Sequence, residues 1–232
     1  VNALATVDTT IYAGGSFIRA GGAIANHVAR WNGASWSSLG AGTGNGLDKS
    51  VDALAVVGND LYVGGLFDQA GGMVTPRVAR WDGGSWNTVG TGINNFPNER
   101  VRALAAVGGD SYAGGNFITA GGVQVNRIAR WDGVTWGRVG TGTGSSIGIG
   151  GEVAALAVIG GDLYVGGAFL AAGGLAAARI ARWSGSTWSS LGTGNGNGVG
   201  SNVTALTAIG NDLYVGGLFT TAGNATANHV AR

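Results

Sequence analysis

The chain has 232 residues, of which 48 are glycine, 45% are hydrophobic and only 11% are charged, and its formal net charge is +1; soluble domains ordinarily carry about 7% glycine and roughly 25% charged residues. With a single lysine, Lys49, it lacks the dense cationic contacts that nucleic acid requires and the polybasic route to anionic membranes. Without cysteine it has no disulfide, thiolate metal ligand or cysteine nucleophile, and no run of about 18 apolar residues is present to span a bilayer.

From Val1 onward one pattern recurs: V-x-A-L-A, then L-Y-V-G-G-x-F, then A-G-G, then V-A-R-W-D-G-x-x-W-x-x-L-G. The tyrosines at Tyr12, Tyr62, Tyr112, Tyr164 and Tyr214 are spaced by 50, 50, 52 and 50 residues. The repeats run 1–50, 51–100, 101–152, 153–202 and, incompletely, 203–232. They read as a single domain. Because the chain opens on the first residue of one repeat and stops inside another, it also reads as a piece of a longer polypeptide.

The second copy shows the elements in order. Val51–Val57 is a short apolar run, suited to a strand covered on both faces. Gly58-Asn59-Asp60 signals a turn, and Leu61 to Phe67 makes a second strand whose doublet, Gly64-Gly65, marks a place where bulk cannot fit or the chain must bend. A longer loop ends in Ala70-Gly71-Gly72. Arg77 to Trp81 alternates polar and apolar residues as a half-buried strand does, Asp82-Gly83 is a tight turn, and Ser85 to Val89 is a fourth strand. Four short antiparallel strands per unit of this period, with no helical periodicity, predict an all-β protein, a β-propeller of four-stranded blades. Five copies predict five blades if this chain is the whole ring, and six to eight if further repeats belong to it. The last blade lacks its outer strand, because the fifth copy stops at Arg232 where the others continue into Trp-Asp-Gly.

The order of apolar strand, "LYVGG", loop, "ARWD", turn and "W" resembles kelch-type propeller repeats over essentially the whole chain. Its fuller wording, "LYVGGxFxxAGG" followed by "ARWDGxxWxxLGxG", is similar to repeats of large bacterial secreted or surface proteins and to the extracellular part of fungal cortical-marker proteins. The resemblance implies the fold and an extracellular or cell-surface location. It implies no reaction, since function resides in sites grafted onto a fold.

The loop between strands two and three shares a face with the connectors between blades, so variable chemistry belongs there. One aligned position on it holds His27, Arg77, Arg127, Arg179 and His229. Such a ring could recognise a carboxylate, sulfate or acidic sugar, or each side chain could satisfy loop carbonyls on its own blade. Three residues later come Arg30, Arg80, Arg130, Arg182 and Arg232, expected to bridge blades by pairing with carbonyls or with a recurrent acid, for which Asp60, Asp110, Asp162 and Asp212 in the first turn and Asp82 and Asp132 in the third are available. The eight tryptophans flank the short turn and are either blade-to-blade packing or platforms for sugars. The connectors hold too few carboxylates for calcium, no other metal or cofactor is implied, and no catalytic cluster breaks the repeat symmetry. Residues 96–100 and 145–149 are the two most individual connectors.

Two functions remain in view. The first is a non-catalytic extracellular structural or interaction module that binds a protein partner or itself, as in a repeating surface assembly. Its open strand edge would run along Val230, Ala231 and Arg232, where β-addition is invited and nothing precedes Val1 to lend a strand. The second is a glycan-binding propeller; an enzyme would need a residue cluster that the repeats do not provide.

Overall fold

A computed structural model describes residues 1–93, 97–140 and 148–232. Within them the chain is an all-β propeller of five blades. In blade 2 the strands are Val51–Val57, Asp60–Gly65, Val78–Trp81 and Trp86–Thr88, hydrogen-bonded antiparallel in chain order from the inner to the outer strand. Blades 1, 3 and 4 repeat this order. Blade 5 has three strands, Val203–Ile209, Asp212–Gly217 and Val230–Ala231.

One departure from the sequence reading lies in the long loop. It contains a second, two-residue hairpin in every blade, such as Gln69–Ala70 with Met73–Val74, turning on Gly71-Gly72. In blade 2 the connector from the preceding blade braces that hairpin: Leu47 bridges Ala70, and the amide of Gly71 donates to the carbonyl of Gly46 at 2.9 Å; in blade 1 the same hairpin, Arg19–Ala20 with Ala23–Ile24, forms without such a bridge. The same connector reaches back to blade 1, where the Leu47 amide donates to Asn26 at 3.0 Å. Two residues to a strand are too few to show an alternating pattern in the sequence.

The inner strand explains how blades meet. Strand alternation puts Ala53 and Ala55 on the trailing face, toward blade 3, and Leu54 and Val56 on the leading face, toward blade 1. Between Val51 and Ala53 the ladder slips by one residue at a bulge, which turns Val51 onto the leading face as well. Val51 and Leu54 then stand over Gly14 of the preceding blade, Val101 and Leu104 over Gly64, Val153 and Leu156 over Gly114, and Val203 and Leu206 over Gly166. A β-carbon at Gly64 would lie 2.5 Å from Val101, so glycine is required by the close approach.

The apolar core is therefore not a single mass. It is four layers, one between each pair of consecutive blades. The layer between blades 2 and 3 joins Tyr62, Val78 and Val89 to Val101, Phe117, Trp131 and Trp136. No fifth layer joins blade 5 to blade 1 among the described residues.

Candidate functional site

The bare faces at the two ends of the blade series follow from that geometry. Val51, Val101, Val153 and Val203 are 0–1% exposed, while the equivalent Val1 is 76% exposed and Leu4 is 66% exposed. They share the leading face of blade 1 with Ala13, Phe17, Ala20 and Trp36. At the other end the trailing face of blade 5 carries Thr207, Tyr214, Gly216 and Val230. Only atoms of blade 5 itself approach Gly216, whereas every equivalent glycine is met by a valine. Val230 is 64% exposed where Val28, Val78, Ile128 and Ile180 are 0–2%. One end thus presents knobs, and the other a glycine hollow of the kind that accepts them.

The edge expected along Val230, Ala231 and Arg232 is also open. Val230 and Ala231 pair with Gly216 and Val215 on one side, and no outer strand pairs on the other. Arg232 reaches back to Asp212 at 3.5 Å.

The aligned basic residues stand one to a blade at a bend rather than in regular strand. His27, Arg77, Arg127, Arg179 and His229 all adopt a left-handed backbone, with φ between 65° and 68°. For side chains this large such a conformation costs on the order of 1–3 kcal/mol unless the surroundings impose it. Here they do. The Arg77 amide donates to Phe67 at 2.8 Å and its carbonyl accepts from Gly65 at 3.1 Å, and the other four residues repeat both bonds. Arg77, 4% exposed, donates from its guanidinium to the carbonyls of Leu66 at 2.9 Å, Phe67 at 3.1 Å and Glu99 at 2.6 Å, and pairs with Asp68. Lys49 pairs with the same carboxylate. His229 brings Nδ1 within 3.2 Å of the Gly217 carbonyl. His27, Arg127 and Arg179 are half-buried on their blades. Among the described residues no core layer joins blade 1 to blade 5, the blades that carry His27 and His229.

The mid-strand arginines differ from the bridging role read from the sequence. Arg80–Asp60 at 3.1 Å, Arg130–Asp110 at 2.6 Å, Arg182–Asp162 at 2.5 Å and Arg232–Asp212 at 3.5 Å each join two strands of one blade. The hydrogen bond that Arg130 donates to the Asp110 carboxylate raises the Arg130 pKa further. In blade 1 threonine, Thr10, replaces the acid, and Arg30 donates to Ser37 Oγ at 3.1 Å instead. These pairs are substantially exposed and hold blades together little.

The indoles are what span the blades. Trp86 donates to the Leu39 carbonyl at 3.1 Å, Trp136 to Val89 at 2.9 Å and Trp188 to Val139 at 3.1 Å, each across a layer. Trp81, Trp86, Trp131, Trp136, Trp183 and Trp188 are buried and cannot stack on a sugar; Trp31 and Trp36 of blade 1 are half-buried. No group of three or more metal-ligating side chains occurs among the described residues. Of the two individual connectors, Phe96 and residues 145–147 lie outside the described residues.

No family model and no curated protein matches this chain. Among solved structures, the computationally designed Ika8 protein is similar with a TM-score of 0.53 and 17% identity, over 93% of this chain and 54% of that one. A structure of YCF48 bound to D1 peptide has a TM-score of 0.46 and 16% identity, over 89% of this chain and 56% of that one. The chain thus spans about half the length of the solved structures it matches, 54% and 56%. The likeness to Ika8 supports the propeller fold and carries no function.

Proposed function

We propose that this chain is a non-catalytic, kelch-like propeller module that works outside the cell and acts by association, the leading face of blade 1 in one copy seating on the trailing face of blade 5 in the next. The observation that carries this reading is the valine-over-glycine contact, made four times inside the chain and left open once at each end, at Val1 and at Gly216. Covering a large aliphatic side chain is worth about 1.5–3 kcal/mol, so Val1, Leu4 and Val230 favour burial. The contact is head-to-tail, which builds an open series or a ring rather than a two-fold dimer. Low charge supports the same reading, because 11% charged residues oppose association weakly. The glycine-rich composition and the resemblance of the repeat to secreted surface proteins support an extracellular setting.

Sedimentation velocity over a wide concentration range tests it. Species larger than the monomer are expected to grow with concentration, and Leu4→Lys is expected to weaken association at least tenfold. A monodisperse monomer at high concentration, with no ordered particles in electron micrographs, would overturn the proposal.

A further inference from the structure

Two departures from the repeat coincide on the small hairpin of blade 5, Thr221–Ala222 with Ala225–Thr226. Its turn is Gly223-Asn224, where the other copies have Gly21-Gly22, Gly71-Gly72, Gly121-Gly122 and Gly173-Gly174. Two residues on stands Thr226, where they have Ile24, Val74, Gln124 and Ala176. Together the departures write Asn224-Ala225-Thr226, an asparagine followed at the second position by a hydroxyl residue, which is the acceptor wording for N-linked oligosaccharide. The backbone of this hairpin is fixed. Thr221 pairs with Thr226 and Ala222 with Ala225, Val199 of the connector from blade 4 bridges Ala222, and the Gly223 amide donates to the Gly198 carbonyl at 2.8 Å. Its side chains face outward: Asn224, Ala225 and Thr226 are all exposed. Gly196 keeps the space beside the Asn224 amide clear, since a β-carbon there would lie 2.9 Å from Nδ2.

This exposure belongs to the hairpin and does not depend on where the chain stops. In blades 1 to 4, whose outer strands are in place, Gly22, Gly72, Gly122 and Gly174 are exposed, and so are Ile24, Val74, Gln124 and Ala176. A second stretch of the same wording, Asn202-Val203-Thr204, fails that comparison. Ser50, Arg100 and Glu152 occupy the place of Asn202 in blades 2 to 4 and are half-buried, so the exposure of Asn202 comes with the uncovered trailing face of blade 5. The small hairpins also differ in what they show to water. Those of blades 1, 2 and 4 hold bare aliphatic side chains, with Ile24 57%, Val74 70% and Leu175 51% exposed. The hairpin of blade 5 has Ala225 and Thr226 instead, a surface suited to lie beneath a hydrated sugar chain.

We propose that Asn224 is an acceptor for N-linked oligosaccharide, a reading that rests on the extracellular setting proposed above. The donor is an oligosaccharide carried on a lipid pyrophosphate. Asn224 Nδ2 forms a bond to C1 of the first sugar and gives up one proton, while the bond from C1 to the pyrophosphate oxygen breaks and the lipid pyrophosphate leaves. The Thr226 hydroxyl is the group by which the transferase recognises the acceptor. The product is a bulky, solubilising group on a surface with few charges to solvate it. The hairpin is braced against the connector from blade 4 and contains none of the trailing-face residues Thr207, Tyr214, Gly216 and Val230, so the head-to-tail contact is left free.

The test directs the 232-residue chain, behind a cleavable leader, through the secretory pathway of a eukaryotic cell and recovers it from the medium. Peptide N-glycosidase in oxygen-18 water is expected to shift its gel band downward and to leave a labelled aspartate at position 224, read by tandem mass spectrometry. Asn224→Gln and Thr226→Ala should each abolish the label at 224, and Thr226→Ser should restore it. The proposal is overturned if position 224 of the secreted chain is unlabelled, or if Thr226→Ala keeps the label. The setting is read separately, by antibody labelling of intact cells of the source. Unlabelled cells would overturn the setting, and with it the use of the site in the native protein, whereas an unlabelled position 224 in the secreted chain overturns the acceptor itself.

Discussion

Asn32, Asp82, Asp132 and Ser184 occupy one turn position and complete it with unequal success. Asp82 accepts from the amides of Gly84 at 2.9 Å and Ser85 at 2.7 Å, Asp132 from Val134 at 2.9 Å and Thr135 at 2.7 Å, and Asn32 from Ala34 at 3.0 Å and Ser35 at 2.9 Å. These amide bonds lower the pKa of both aspartates. The Ser184 hydroxyl accepts from a single amide, that of Thr187, at 3.2 Å. Ser184→Asp is therefore expected to raise the thermal midpoint by about 1–2 °C, measured by differential scanning calorimetry. Asp68 carries a second prediction. Burial raises its pKa, but the hydrogen bond from Lys49 and the charge and hydrogen bond of Arg77 outweigh burial and leave it lowered. A carboxyl with a folded pKa below its unfolded value contributes fully above the unfolded value and loses that contribution as pH falls through the folded one. Denaturant titrations from neutral pH down past about pH 4 should show Asp68→Asn losing less stability than the parent over the acid limb. An equal loss would mean that the Lys49–Asp68–Arg77 cluster does not sense acid.

Between elements, the glycines of the second strand separate a filled interface from an empty one. Gly64→Ala forces a methyl group against Val101 and is expected to destabilise by about 1–3 kcal/mol, as overpacking does. Gly216→Ala, at the same place on blade 5, meets nothing closer than Ala205 Cβ at 3.7 Å and should change stability by less than about 0.5 kcal/mol. Equal effects in urea unfolding would refute the knob-and-hollow account. Much of this level was legible in the sequence: all four strands of blade 2, the Asp82-Gly83 turn, and the missing strand after Arg232 can be written down from the repeat. The bend at Arg77 was not, because no propensity places a large side chain in a left-handed backbone; bonds from Gly65 and to Phe67 impose it. The hairpin at Gly71-Gly72 was not read either, since two residues to a strand show no alternation. The arginine–aspartate pairs were found as partners but assigned to the wrong gap, because side chains in register on adjacent strands, as Arg80 and Tyr62 are, keep Asp60 within reach on the same blade.

At the scale of the whole molecule, the core layers among the described residues join consecutive blades and repeat one composition, so stability is close to a sum of four interfaces, and the outermost blades, with one such interface each, are expected to open first. Association through Val1, Leu4 and Gly216 would give the end blades a second interface. The thermal midpoint should then rise with protein concentration, and Leu4→Lys should abolish that dependence. The valine-over-glycine contact has a consequence for inheritance as well. Because Val51 on Gly14 is the same join as Val203 on Gly166, a gene that gains or loses one unit of about fifty codons by unequal crossing-over between repeats creates no unfamiliar boundary. The length of such a protein can change by whole blades in a single event, with every new neighbour already fitted to the last.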